Sequence, residues 1–206
     1  ESGGGDYFDI MNFHYYYFAC YSWGDIIGKT AHLKELLGRY GVCKPMICSE
    51  VGIWGYEDPY YLSLQARYLP RVFARGLAAG LETVIWYPLA SEEEWSFEGG
   101  LLREEDLSPK PAFFSYRVLI SELTGYRFRK IVETGSPLLE GYEFTDVGNG
   151  KSKYLIWAME GSSDFINFPY QFLRVMSIDG SEQFVRDGGG GDRDGRDNGE
   201  ITLYLT

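Results

Sequence analysis

Lys44-Pro45-Met46-Ile47-Cys48-Ser49-Glu50-Val51-Gly52 is an apolar run of strand length that ends on a carboxylate and a glycine. Pro45 stands at its start, where a missing backbone N–H is tolerated. Upstream, Tyr7 to Tyr16 is a β-rich aromatic run. Ala31 to Tyr40 follows it with Leu33, Leu36, Leu37 and Tyr40 at three- and four-residue spacing, an apolar stripe on a helix that Gly41 should stop. Downstream, Leu62 to Ala79 carries Leu69, Val72, Phe73 and Leu77 at helical spacing, and Pro70 should kink that helix or mark its first turn. Glu82 to Leu89 is a third strand, and Pro111 to Thr124 a third helix with Phe114, Val118 and Leu119 inward and Gly125 at its end. Three strand–helix units in succession imply parallel strands joined by right-handed crossovers. The fold class is therefore α/β, either a doubly wound sheet or part of a (β/α)8 TIM barrel. Neither is complete in three strands.

Beyond Tyr126 the pattern changes to short strand-like pieces between turn signals: Leu139 to Phe144, Lys153 to Met159, Phe172 to Ser177, Gln183 to Val185 and Ile201 to Leu205. These predict a small antiparallel β-domain, sandwich-like, so the expected division is 1–125 and 126–206. Between two of its strands lies Asp187-Gly188-Gly189-Gly190-Gly191-Asp192-Arg193-Asp194-Gly195-Arg196-Asp197. It lacks the residue order and the closing glutamate of an EF-hand, and two arginines interrupt it, so it reads as a flexible hairpin connection.

With 206 residues, 45% hydrophobic and 17% aromatic, the chain can bury a core. Its net charge of −11 offers no positive footprint for nucleic acid or anionic lipid and favours neutral partners, sugars among them. No apolar run approaches the roughly 20 residues of a membrane span. Cys20, Cys43 and Cys48 lack zinc-site spacing and an even count, and are expected as free core thiols. Neither a metal nor a cofactor is expected. The chain opens on Glu1-Ser2-Gly3-Gly4-Gly5 without a methionine, like a loop cut from something longer.

In parallel β/α architectures ligands meet the C-terminal ends of the strands. The first such end offers Asn12 and His14 on one face, with Tyr15 and Tyr16 at the exit; the second ends in Ser49-Glu50-Val51-Gly52 and the third in Trp86-Tyr87-Pro88. Glu50 is the sharpest candidate, because a carboxylate closing so apolar a run is costly unless partnered. It is either a nucleophile or acid/base in a pocket, or a strand-terminal glutamate emerging into solvent. His14 is either a hydrogen-bonded strand-end histidine or a site residue. Trp86 either fills the core or forms a platform for the apolar face of a sugar ring. Glu92, Glu93 and Glu94 are solvated charge, and Trp95 beside them could line a cleft.

Asp9-Ile10-Met11-Asn12-Phe13-His14-Tyr15-Tyr16, the Lys44 to Gly52 run, and Val84-Ile85-Trp86-Tyr87-Pro88-Leu89 together resemble strands six, seven and eight of the clan A glycoside hydrolases. Gly100-Leu101-Leu102 and Ser108-Pro109-Lys110-Pro111-Ala112-Phe113-Phe114-Ser115-Tyr116 are similar to the lead-in to the last barrel helix of those enzymes. The resemblance covers residues 6–125, and the β-domain looks like the accessory sandwich of β-xylosidase and iduronidase relatives. It implies a retaining glycoside hydrolase acting on β-linked oligo- or polysaccharides by double displacement, with Glu50 as nucleophile. His14 and Tyr16 would then orient the nucleophile or touch the sugar, Trp86 would form the aromatic floor beneath it, and Asn12 and Trp54 would also bind substrate.

Retaining hydrolysis needs a second carboxyl about 5 Å from the first. In this clan it comes from an Asn-Glu pair ending strand four; this sequence has no Asn-Glu pair in a strand context, and Asn198-Gly199-Glu200 lies in the β-domain. The chain alone is therefore expected to be inactive, its open strand edge covered either by the missing barrel half or by self-association. The alternative reading is a non-catalytic carbohydrate-binding or assembly module. Export from the cell follows from analogy with polysaccharide enzymes alone.

Overall fold

A computed structural model describes residues 3–16, 25–55, 58–90 and 99–206. The chain forms two compact units, Glu1–Ile120 and Ser121–Thr206. Cys20, Glu92 to Glu94 and Trp95 lie outside the described residues.

The first unit alternates β1 (Met11–Tyr16), α1 (Ile26–Arg39), β2 (Met46–Gly52), α2 (Pro59–Ala78), β3 (Thr83–Trp86) and α3 (Pro111–Leu123), the last running on into the second unit. The strands form a parallel sheet in the order β1-β2-β3. Both long helices begin earlier than their apolar stripes suggest, because aspartates cap them. The Asp25 side chain accepts from the Gly28 N–H at 2.9 Å, and Asp58, followed by Pro59 in the first turn, accepts from the Tyr61 N–H at 2.8 Å.

Pro70 lies inside α2 without ending it. Its ring, with Leu69, Val72 and Ala74, belongs to the buried face, and α2 packs on β2 and β3. Burial along the whole helix outweighs the one hydrogen bond that proline removes. Gly76 lets α2 approach the sheet closely, since a Cβ there would stand 2.7 Å from Val84 Cγ2.

The expected stripe of α1 is only half covered. Leu33 and Leu37 are half-buried and Leu36 and Tyr40 exposed, while the fully buried positions are Ile26 and Thr30, whose hydroxyl donates to the Ile26 carbonyl at 2.7 Å. In α3 the buried line is Ala112, Ser115 and Leu119, with Phe114 and Val118 partly covered. Cys48 is buried, whereas Cys43 is exposed before the strand begins, so only the former is a core thiol.

The second unit is entirely antiparallel after the end of α3. β4 (Tyr126–Ile131), β5 (Leu139–Asp146) and β6 (Ser152–Ala158) form one sheet; β7 (Asp164–Phe168) pairs with β10 (Ile201–Leu205), and β8 (Phe172–Met176) with β9 (Glu182–Arg186). Leu139, Ala158, Ile166 and Phe168 make a shared core, with Leu173, Leu203 and Leu205 against it. β4 and β7 lie outside the strands that the sequence pattern predicts. β4 has little burial to mark it, and the outward Phe165 blurs the alternation of β7.

The glycine-rich segment after β9 is not a hairpin connection, because β9 and β10 pair with different strands. It is pinned from within. The buried Asp187 carboxylate accepts from the N–H groups of Asn198 (3.2 Å) and Gly199 (2.6 Å). Asp192 accepts from Thr202 (3.0 Å) and Gly188 (2.9 Å), and those N–H groups hold it below the usual aspartate range.

Glu122 accepts two hydrogen bonds from Arg174 (both 2.9 Å) and one from Lys153 (2.7 Å). The Arg174 bonds, with those of Lys153, outweigh its partial burial and hold its pKa down from an ordinary 4.5 to about 2. The unfolded chain therefore binds this proton more readily than the folded one. Its stabilisation is fully present above the unfolded value and is lost as pH falls from there toward the folded one. Urea midpoints measured from about pH 6 to about pH 2.5 should fall more steeply for the native protein than for Glu122→Gln. Parallel curves would show that the cluster contributes nothing.

Among the described residues no helix is long and apolar enough to cross a membrane, and no group of three or more His, Cys, Asp or Glu side chains is placed to hold a metal ion.

Candidate active site

The site follows from a bulge in the central strand. β1 and β2 run in register from Met11 opposite Met46 to Phe13 opposite Cys48, and then His14 pairs with Glu50, leaving Ser49 as an extra residue. Phe13 and Cys48 both point to the buried face, as do Tyr15 and Val51 beyond the bulge. Without the extra residue Glu50 would share that face; the bulge turns it to the side of His14 and Tyr16. Asn12 supports this irregularity, its side-chain oxygen accepting from the Ser49 N–H at 3.1 Å. Cys48 donates to the Glu50 carbonyl at 3.2 Å, and burial pushes its thiol up to about 11.

The Glu50 carboxylate is 29% exposed and shares one oxygen between two neighbours. The Tyr16 hydroxyl donates to Oε2, and His14 Nδ1 lies 3.1 Å from the same atom. Burial first, then the hydrogen bond and charge of Glu50, raise the Tyr16 pKa far above its ordinary value. Tyr16 therefore stays protonated and remains a donor throughout the working pH range of a protein. Lys29 at the start of α1 donates to the His14 carbonyl at 2.5 Å, fixing the strand from the helix side.

Trp54, just past β2, packs its ring 5.4 Å from that of Tyr16. Trp86 is not brought to this group. Its indole is 6% exposed and donates to the Gly99 carbonyl at 3.2 Å, an oxygen that also accepts from the buried Gln65 amide at 3.0 Å. In β3, Val84 and Trp86 face the buried side while Ile85 and then Tyr87 are exposed, so Tyr87 is the aromatic next to Tyr16. Counting alternation from Val84 would have identified it. Gly52 permits the close approach of the strand ends here, since a Cβ would stand 2.7 Å from the Tyr87 carbonyl oxygen.

One oxygen of the partly buried Glu50 carboxylate thus meets both a phenolic donor and an imidazole. Comparison with solved structures gives this geometry a setting. A family 39 glycoside hydrolase from the gut symbiont Bacteroides cellulosilyticus WH2 matches over 100% of this chain and 44% of its own, with a TM-score of 0.73 at 19% identity. SrfJ from Salmonella typhimurium matches over 100% and 42%, with a TM-score of 0.57 at 12% identity. The chain has a glycosidase-like fold. BpGH86A, a β-porphyranase of glycoside hydrolase family 86 from the human gut bacterium Bacteroides plebeius, matches over 97% and 40%, with a TM-score of 0.52 at 12% identity. The chain thus spans less than half the length of each of these proteins. No protein-family model and no curated protein sequence matches it.

Proposed function

We propose that this chain is the C-terminal part of a retaining β-glycosidase and supplies its nucleophile, Glu50. One observation carries the reading: a carboxylate at the C-terminal end of the central parallel strand, oriented on one oxygen by Tyr16 and His14. The three parallel strands are then the last three of a (β/α)8 barrel, and the second unit its accessory sandwich. The free oxygen of Glu50 attacks the anomeric carbon of a β-linked sugar as the glycosidic C–O bond breaks. The leaving oxygen takes a proton from a carboxylic acid outside these 206 residues, and water later releases the sugar from Glu50. The missing barrel half, on the same chain or another, is the partner that completes the site. Tyr16 and His14 position the nucleophile, Asn12 holds the bulge that presents it, and Trp54 with Tyr87 provides the aromatic wall for the sugar.

Incubating the full-length protein with a 2-fluoro glycoside that has a good leaving group should leave a stable sugar ester on Glu50, read by peptide mass spectrometry. A labelled enzyme modified at any other carboxylate would overturn the assignment. Tyr16→Phe removes one charge-assisted hydrogen bond without changing the bulge, and should lower kcat about ten- to a hundredfold with the fold intact. An unchanged kcat would exclude Tyr16 from positioning the nucleophile.

A further inference from the structure

The second unit carries an aromatic and polar cleft that the glycosidase reading does not use. In the β8–β9 hairpin Phe172 pairs with Arg186 and Arg174 with Phe184, so these four side chains share one face, while Leu173 and Val185 turn inward. Phe172 and Phe184 are 55% and 58% exposed and stack with ring centroids 5.8 Å apart at 18°. The core is already closed by the other face of the hairpin, so two large apolar rings held in solvent are a cost that packing does not explain. At their end opens a cavity of about 460 Å³ lined by Gln171, Phe172, Arg186, Asp187 and Asp197.

The polar lining is unevenly satisfied. Asp187 is consumed by the N–H groups of Asn198 and Gly199. The side chains of Gln171, Arg186 and Asp197 have no hydrogen-bond or ion-pair partner among the described residues, and Arg186 and Asp197 border one hollow without closing on each other. The cleft therefore presents an aromatic surface, an amide, a donor and an acceptor around a space of small-ligand size.

We infer that this cleft binds a neutral sugar residue of an oligo- or polysaccharide. An anion at Arg186 would meet the carboxylates of Asp187 and Asp197, and a cation would meet Arg186. A neutral polyol satisfies both signs, its hydroxyls donating to Asp197 and accepting from Arg186 and Gln171 while its apolar ring face lies on Phe172. The choice of a sugar among neutral polyols rests on the glycosidase reading; the cleft does not involve Glu50.

Affinity electrophoresis of the protein through gels containing soluble β-1,4-xylan, mixed-linkage β-glucan or galactomannan tests this. At least one polymer should retard the native protein, and equally the Leu36→Ala variant, whose change lies on the exposed side of α1 in the other unit. Phe172→Ala and Arg186→Ala should each weaken that retardation about tenfold or more with far-UV circular dichroism unchanged, since both side chains face solvent. No retardation by any of the three polymers, or retardation undiminished in both variants, would overturn the inference. Loss in Trp54→Ala alone would also overturn it, by placing the binding at the first unit. The 2-fluoro labelling outcome at Glu50 is independent of this readout, so either proposal can fail while the other stands.

Discussion

Glu50→Gln in the full-length protein should lower kcat/KM on an aryl β-glycoside by about four orders of magnitude or more while leaving the folding transition nearly unchanged. Glutamine keeps the shape of the side chain, and its amide oxygen can still accept from Tyr16, so the bulge and the strand ends persist. What disappears is the negative charge that would attack the anomeric carbon. The shorter Glu50→Ala variant separates this from a packing effect. Added azide should enter the space left by the carboxylate, displace the leaving group and restore turnover, giving a glycosyl azide of inverted configuration. Turnover within tenfold of the native protein in Glu50→Gln, or no azide product from an otherwise folded Glu50→Ala, would end the case for a nucleophile at this position.

Leu69→Ala is expected to destabilise the first unit strongly. Leu69 is fully buried in α2, the helix that covers β2 and β3. Truncating it loses the transfer free energy of the removed carbons and opens a cavity next to Pro70, where the ring limits how far the helix can relax; about 2–5 kcal/mol is expected. Leu36→Ala on the exposed side of α1 provides the contrast and should stay within about 0.5 kcal/mol. Urea denaturation of both variants gives the comparison directly. Equal losses would mean that α2 does not seal the sheet from which Glu50 projects.

The two effects are linked by the path from helix to carboxylate. Leu69 belongs to the buried face of α2, which packs on β2 and β3, and the bulge at Ser49 decides which face Glu50 takes. His14, Tyr16 and Glu50 could each be singled out from strand ends alone, because parallel β/α sheets put their chemistry there. Their convergence on one oxygen could not, since it depends on a one-residue slip between β1 and β2 that no local pattern marks. Trp86 is the converse. Its residue type suits a sugar platform, but alternation in β3 turns it onto Gly99 and Tyr68 and leaves the exposed side to Tyr87.

From residue order alone came the three β/α units, the change to antiparallel strands near Tyr126 and the choice of Glu50 as a candidate, because hydrophobic period and the cost of a carboxylate in an apolar run are local properties. The starts of α1 and α2 were also written locally, in Asp25, Asp58 and Pro59. Only the tertiary structure decided the rest: that Pro70 stays within α2, that β9 and β10 belong to different sheets, that Phe172 and Phe184 stand outward, and that Glu50 faces His14 and Tyr16. Each of these depends on which distant segment lies opposite, and strand register and burial are set by that partner and not by the segment itself.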